Sequence, residues 1–251
     1  MGWMPFFVGF KKLFFISDQP TLLMESNQLG VDKMDVYFIR NGEIYFNQLG
    51  RMQGWSDTPL TKAGHEEAYK MGRTLGNLGE VAPTIYSSDM NSSIQTVTEL
   101  NNGMKAAGGK TFKMVTMPEL REQFYGSFEG QSKKETYKKI SGKSVEETLQ
   151  EMNFDDMQDK LAKLDPTHLA ETSKQFWDRF ASGIEKIKQV ETKPVIIVTH
   201  SAILTALVNI YAPFLLNQIE PNNLSLTKVH FDGDKFSPKI VYYNETVEQN
   251  I

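Results

Sequence analysis

The 251 residues predict an α/β fold, a three-layer α/β/α sandwich on a mostly parallel sheet. Three features carry that expectation. Short apolar, β-rich runs recur along the chain. Segments with an apolar residue every three or four positions lie between them. Two alternating runs of hairpin type close the sequence.

The first run, "DVYFIR" (35–40), reads as a buried strand ended by the polar, Gly-containing stretch behind it. Thr61 then caps a helix whose stripe is Ala68, Met71, Leu75 and Leu78. "TIYSS" (84–88) is a second strand. From Asn91 a helix carries Ile94, Val97, Leu100 and Met104, and Gly108–Gly109 stops it before a third strand, "TFKMVTM". Residues 130–165, rich in Lys, Glu, Asp and Met, read as a helical insertion over the sheet edge, with Met152 and Met157 as packing residues. A long helix from about residue 167 presents Phe176, Phe180, Ile184 and Ile187 on one face and leads into "PVIIVTHS", the most apolar strand, ending at His200. The helix "AILTALVNIYA" follows, then "SLTKVHF" and "KIVYY" paired through Asp232, Gly233 and Asp234.

This length supports one large core, so residues 34–251 are taken as one domain with residues 1–33 as an upstream extension. Lys11 and Lys12 interrupt the apolar start "MGWMPFFVGFKKLFFIS", which therefore fits neither a signal peptide nor a membrane span. A packed strand or short helix, a membrane-surface anchor and a poorly ordered tail all remain compatible with it. The formal net charge of −4, with basic residues scattered, gives no footprint for nucleic acid. The absence of cysteine removes disulfides, thiolate metal sites and thiol nucleophiles. A cytoplasmic location is the expectation.

Ligands of open α/β sheets bind beyond the carboxyl ends of the strands, which is where Arg40 and His200 fall. A guanidinium there has the fork geometry for two phosphate oxygens, with Asn47, Gln53 and the Gly54 backbone as further donors. A structural ion pair is the competing reading of Arg40. His200, on an apolar strand between Thr199 and Ser201, is a stronger functional candidate than His65, His168 or His230, which read as surface histidines.

Four stretches together resemble the histidine phosphatase superfamily, the cofactor-dependent phosphoglycerate mutase-like family. They are "RNGEIYFNQLGRMQGWSDTPLT" (40–61), "YSSDMNSSIQT" (86–96), "LREQFYGSFEG" (120–130) and "VIIVTHS" (195–201), and the tail "NNLSLTKVHFDGDKF" agrees. The resemblance covers about Asp35 to Glu248. It implies a phosphoglycerate mutase-like fold and phosphorylated small molecules or phosphopeptides as partners, with no metal and no cofactor. It also makes Arg40 a phosphate clamp, Asn47 and Gln53 pocket donors, Glu122 the general acid and His200 a supporting imidazole.

Three positions depart from the family pattern. Asn41 stands where the family has its nucleophilic histidine, Ser92 where it has a second arginine, and Ile44 where Thr or Ser is usual. The family reaction needs a nitrogen lone pair to attack phosphorus. An amide nitrogen, delocalised into its carbonyl, has none to offer. Replacing the arginine weakens phosphate binding about 10- to 150-fold, whereas loss of a nucleophile costs up to about a millionfold. The expectation is a phosphomonoester-binding member with crippled phosphoryl transfer, a pseudophosphatase. An active phosphatase or mutase is the alternative, and a deliberately inactivated variant is a third reading. Oligomeric state has no signature in the sequence.

Overall fold

The computed structural model describes residues 33–215, 220–233 and 236–246. The expected N-terminal extension, apart from Lys33, and Asp234 of the expected hairpin turn lie outside the described residues. Lys33 opens the first strand instead of closing the extension.

Six strands among the described residues form one sheet: β1 (Lys33–Arg40), β2 (Thr84–Ser87), β3 (Lys113–Thr116), β4 (Val195–Thr199), β5 (Leu226–Asp232) and β6 (Pro238–Glu245). Their spatial order is β3-β2-β4-β1-β5-β6. The first four run parallel, β5 lies antiparallel to β1, and β6 lies antiparallel to β5. The parallel pairs need crossover helices, and the antiparallel pair needs only a turn. That difference is why a helix-alternating sequence ends in a hairpin.

The helices are α1 (Tyr45–Gln48), α2 (Lys62–Thr74), α3 (Asn91–Ala106), α4 (Lys133–Ser141), α5 (Val145–Glu151), α6 (Phe154–Leu164), α7 (Ser173–Lys188) and α8 (Ser201–Tyr211). Strand alternation divides the core between the two faces of the sheet. Val36, Phe38, Val195 and Ile197 join Phe176, Phe180 and Ile184 of α7 and Ile203 of α8. Ile39, Ile85, Ile196 and Val198 join Met71 of α2 and Val97, Leu100 and Met104 of α3. Each such fully buried side chain contributes about 1.5–3 kcal/mol relative to exposure. Helices α2 and α3 meet backbone to backbone: a Cβ on Gly72 would stand 2.1 Å from the Leu100 carbonyl oxygen, and one on Gly103 2.0 Å from that of Tyr69.

The structure departs from the sequence reading at two elements. Helix α7 begins at Ser173, not near 167, because Asp165 gathers the intervening turn. Its carboxylate accepts from the Thr167, Leu169 and Ala170 amides at 3.1, 2.9 and 2.9 Å and from Ser127 Oγ at 2.6 Å. The helix then starts on a capping box, Thr172 Oγ1 accepting from the Gln175 amide and the Gln175 side chain from the Thr172 amide. Helices α4 to α6 occupy residues 133–164, with α6 packed on α7 and α8 and α4 packed on α5 and α6, instead of lying over the sheet edge. Phe154 packs 6.3 Å from Phe176 between ring centroids, Trp177 Nε1 donates to Asp155 at 2.8 Å, and Met157 is buried in the same cluster.

Candidate functional site

Strand β1 delivers Arg40, and the next residue turns toward the neighbouring strand: the Asn41 amide donates to the Thr199 carbonyl at 2.8 Å. That hydrogen bond sets Asn41 beside the end of β4, where His200 is the N-cap residue of α8. The Arg40 carbonyl accepts from the Leu224 amide at 3.0 Å, which ties the loop before β5 to the same place. The result is a cleft of about 450 Å³, open mouth included, lined among others by Arg40, Asn41, Asn47, Gln53, Glu122 and His200. These six sequence candidates come together at one place in the structure. Ile44 lines the cleft too, and Gly54 and Ser92 do not.

The side chains around it have complementary polarity. Arg40 is buried, donates through Nη1 to the Pro221 carbonyl, and leaves Nε with no partner. A buried, unsatisfied guanidinium nitrogen costs on the order of 1–3 kcal/mol unless something accepts from it. Asn47 Oδ1 accepts from the Ile44 amide at 3.2 Å and from Asn223 Nδ2 at 3.4 Å. Gln53 Oε1 accepts from the Thr58 hydroxyl at 2.5 Å. With both oxygens committed, the uncommitted end of each amide is its NH2 group, a donor. Asn41 differs: its Nδ2 commits one hydrogen to the Gly42 carbonyl at 2.9 Å, and its oxygen is an uncommitted acceptor.

His200 is buried, and its Nε2 lies 2.7 Å from Ser88 Oγ and 3.4 Å from Ser93 Oγ. Burial, reinforced by the positive charges of Arg179 and Arg40, lowers its pKa to about 3, so the ring is neutral near pH 7. Glu122 is buried beside it. The Gln123 and Ala202 amides donate to its two oxygens at 2.9 and 3.0 Å, the latter from the N-terminus of α8. Those donors favour the carboxylate, but burial outweighs them and its pKa is pushed up to about 7.

Glu122 is held by a frame that no sequence motif announced. Arg179 donates to the carbonyls of Glu119, Arg121 and Glu122 at 2.9, 2.9 and 3.2 Å, and pairs with Glu171 at 2.8 Å. Arg121 forms a two-pronged pair with Asp89, both contacts 2.6 Å, and sits 4.7 Å over the Trp55 ring. The sequence reading also missed Arg51, Lys133 and Tyr125 in the lining, and Asn223, whose Nδ2 donates to the Asn41 carbonyl at 2.8 Å. Lys133 pairs with Glu220, and Arg51 donates to the Gly130 carbonyl at 2.5 Å.

Two expected phosphate-binding groups lie elsewhere. The Gly54 amide donates to Glu129 at 3.0 Å, and that carboxylate also collects the Trp55 and Ser56 amides. The loop therefore closes on its own acid, leaving the Gly54 amide no proton to offer a ligand. Ser92 is fully buried in α3 with its hydroxyl unpartnered, outside the cleft lining. A serine side chain is too short to do there what an arginine would. His65 and His230 are bound to Glu99 and Asp35 at 3.0 and 2.7 Å, and His168 is exposed, all far from this chemistry in role.

A polar cleft across the carboxyl ends of β1 and β4 in a sheet of this order defines an α/β protein of the phosphoglycerate mutase-like class. The chain belongs to the histidine phosphatase superfamily (branch 1), whose family model matches residues 36–246. It is similar to the 2,3-bisphosphoglycerate-dependent phosphoglycerate mutase of Treponema pallidum (strain Nichols), 34% identical over 106 residues, or 42% of this chain and 41% of that one. It thus spans about two fifths of the length of the first curated relatives it matches. A crystal structure of phosphoglycerate mutase from Bacillus anthracis str. Sterne aligns with a TM-score of 0.73 at 25% identity, covering 86% of this chain and 95% of that one. A mycobacterial glucosyl-3-phosphoglycerate phosphatase in complex with VO3 shares the fold, with a TM-score of 0.61 at 21% identity over 85% of this chain and all of that one. No helix among the described residues is long and apolar enough to cross a membrane.

Proposed function

We propose that the chain binds a phosphomonoester of a small molecule or peptide in the cleft around Arg40 and has lost the ability to transfer the phosphoryl group itself. One observation carries this reading. Asn41 has its nitrogen bonded to the Gly42 carbonyl and an oxygen as its free end, while Nε2 of His200 is engaged by Ser88. The amide nitrogen of Asn41 has no lone pair to give, so the position at the end of β1 supplies no nucleophile, and of the two His200 ring nitrogens Nε2 is already engaged. Binding is supported by the orphaned Arg40 Nε and the amide donors of Asn47 and Gln53.

Glu122 favours a second reading, slow hydrolysis by water. A carboxyl group with its pKa near 7 is partly protonated at neutral pH and suits protonation of a leaving oxygen. An assay with an aryl phosphate separates the two. The binding reading expects release of inorganic phosphate no faster than the uncatalysed rate. Steady turnover that disappears in Arg40→Ala and Glu122→Gln would overturn it in favour of hydrolysis.

A further inference from the structure

Arg40, Asn47 and Gln53 offer hydrogen atoms to the cleft, and Asn41 adds an acceptor beside them. Arg40 Nε is buried without a partner, and the committed oxygens of Asn47 and Gln53 leave amide hydrogens as their free ends. Asn41 breaks the pattern. Rotating its amide by half a turn would place Oδ1 2.9 Å from the Gly42 carbonyl oxygen, two acceptors in contact, so the hydrogen bond fixes Oδ1 as an uncommitted acceptor, with one Nδ2 hydrogen also unspent. No described residue donates to Asn41 Oδ1. A fully ionised phosphate, whose oxygens only accept, would meet this oxygen unfavourably.

Charge points the same way. Of the three cations in the lining, Lys133 is paired with Glu220 and Arg51 is exposed and bonded to the Gly130 carbonyl. Among the described residues, Arg40 is therefore the only buried cation facing the cleft, and with the carboxyl groups of Glu122 and Glu220 also acting on it, it favours no more than one negative charge on a ligand. The remaining titratable groups of the lining are Glu122, Tyr125 and His200, of which His200 is engaged by Ser88.

Building on the phosphomonoester reading, we infer that the site selects the protonated monoanion of the phosphate, with its P–OH donating to Asn41 Oδ1 and its other oxygens accepting from Arg40, Asn47 and Gln53. The class of ligand is then a phosphoryl group carrying one proton. Sulfate esters and phosphodiesters are monoanions too, but they have no O–H to give and are rejected.

Calorimetric titration of the full chain with phenylphosphonate and with benzenesulfonate tests this, because neither is hydrolysed. The two differ chiefly in whether an O–H is present on the monoanion. Between about pH 5 and pH 9, phenylphosphonate affinity should fall about tenfold per pH unit above its second ionisation. Benzenesulfonate should bind at least about tenfold more weakly than phenylphosphonate at the acid end, the loss of one hydrogen bond to Asn41 Oδ1. Protonation of Glu122 would help both anions alike, so the sulfonate also serves as the control for that group. Asn41→His, which places a potential N–H donor at the same position, should narrow the gap between the two.

Phenylphosphonate affinity that stays level or rises with pH would overturn the inference and leave the phosphate-binding reading standing, as would equal affinity for the two anions. Failure of both to bind across the range would sink that reading and the inference with it.

Discussion

Ser88 Oγ lies 2.7 Å from His200 Nε2, both groups buried, so the imidazole is anchored toward the protein interior. Held through Nε2, the ring has a fixed orientation, and the proposed loss of phosphoryl transfer then rests on the amide at position 41.

Restoring the missing nitrogen is the most direct test. Asn41→His should raise aryl phosphate turnover by at least about a hundredfold, since loss of a nucleophile costs up to about a millionfold. A stopped assay for released phosphate reads it. An unchanged rate would mean that position 41 is not where attack occurs.

The two buried titratable groups at the site oppose each other in their effect on stability. Glu122 has its pKa raised to about 7, so its contribution is complete below the ordinary glutamate pKa and is lost as pH rises from there through 7. His200 has its pKa lowered to about 3, so its neutral form favours folding above the ordinary histidine pKa, and stability falls as pH drops from there toward 3. Glu122→Gln should therefore flatten the loss on the neutral side, by at most about 3 kcal/mol at pH 8. Urea titrations of both proteins at pH 5 and about pH 8 check it. A parallel loss in the two would refute it.

Arg179 holds the carbonyl groups of Glu119, Arg121 and Glu122 and neutralises Glu171. Arg179→Ala leaves that carboxylate buried without a cation, so stability should drop by about 3–5 kcal/mol. Arg179→Lys keeps the charge and loses the fork, and should fold while weakening phosphonate binding as Glu122 loosens. Phosphonate affinity equal to that of the unmodified chain in the lysine variant would count against Arg179 as a positioning residue.

Ser92 predicts the opposite sign from most core substitutions. Its buried hydroxyl has no partner, so Ser92→Ala should be neutral or stabilising by about 1 kcal/mol. Thermal denaturation reads this, and a clear loss would show that the hydroxyl has a role in the packed state.

The fold was legible because strand and helix periods are written locally. Val195, Ile197, Phe176 and Phe180 announce their burial through spacing alone. Arg40, Asn47, Gln53, Glu122 and His200 were legible as a candidate site through the motifs that surround them. The late start of α7 was not, because Asp165 draws on donors as distant in sequence as Ser127. Gly54 was misread for a similar reason: its amide looks free until Glu129, 75 residues later, arrives to accept from it. Arg179 and Asn223 act through backbone carbonyls, which no side-chain motif records.

The contact of Gly72 and Gly103 with the opposite backbone has a mechanical side. Two helices touching without side chains between them have no slack to slide or part, so the α2–α3 flank behaves as a stiff wall. That flank lines no part of the cleft, whose own margin is built from loop segments carrying Gln53, Glu122 and Tyr125. Amide hydrogens around Leu100 should then outlast those around Tyr125 in deuterated solvent.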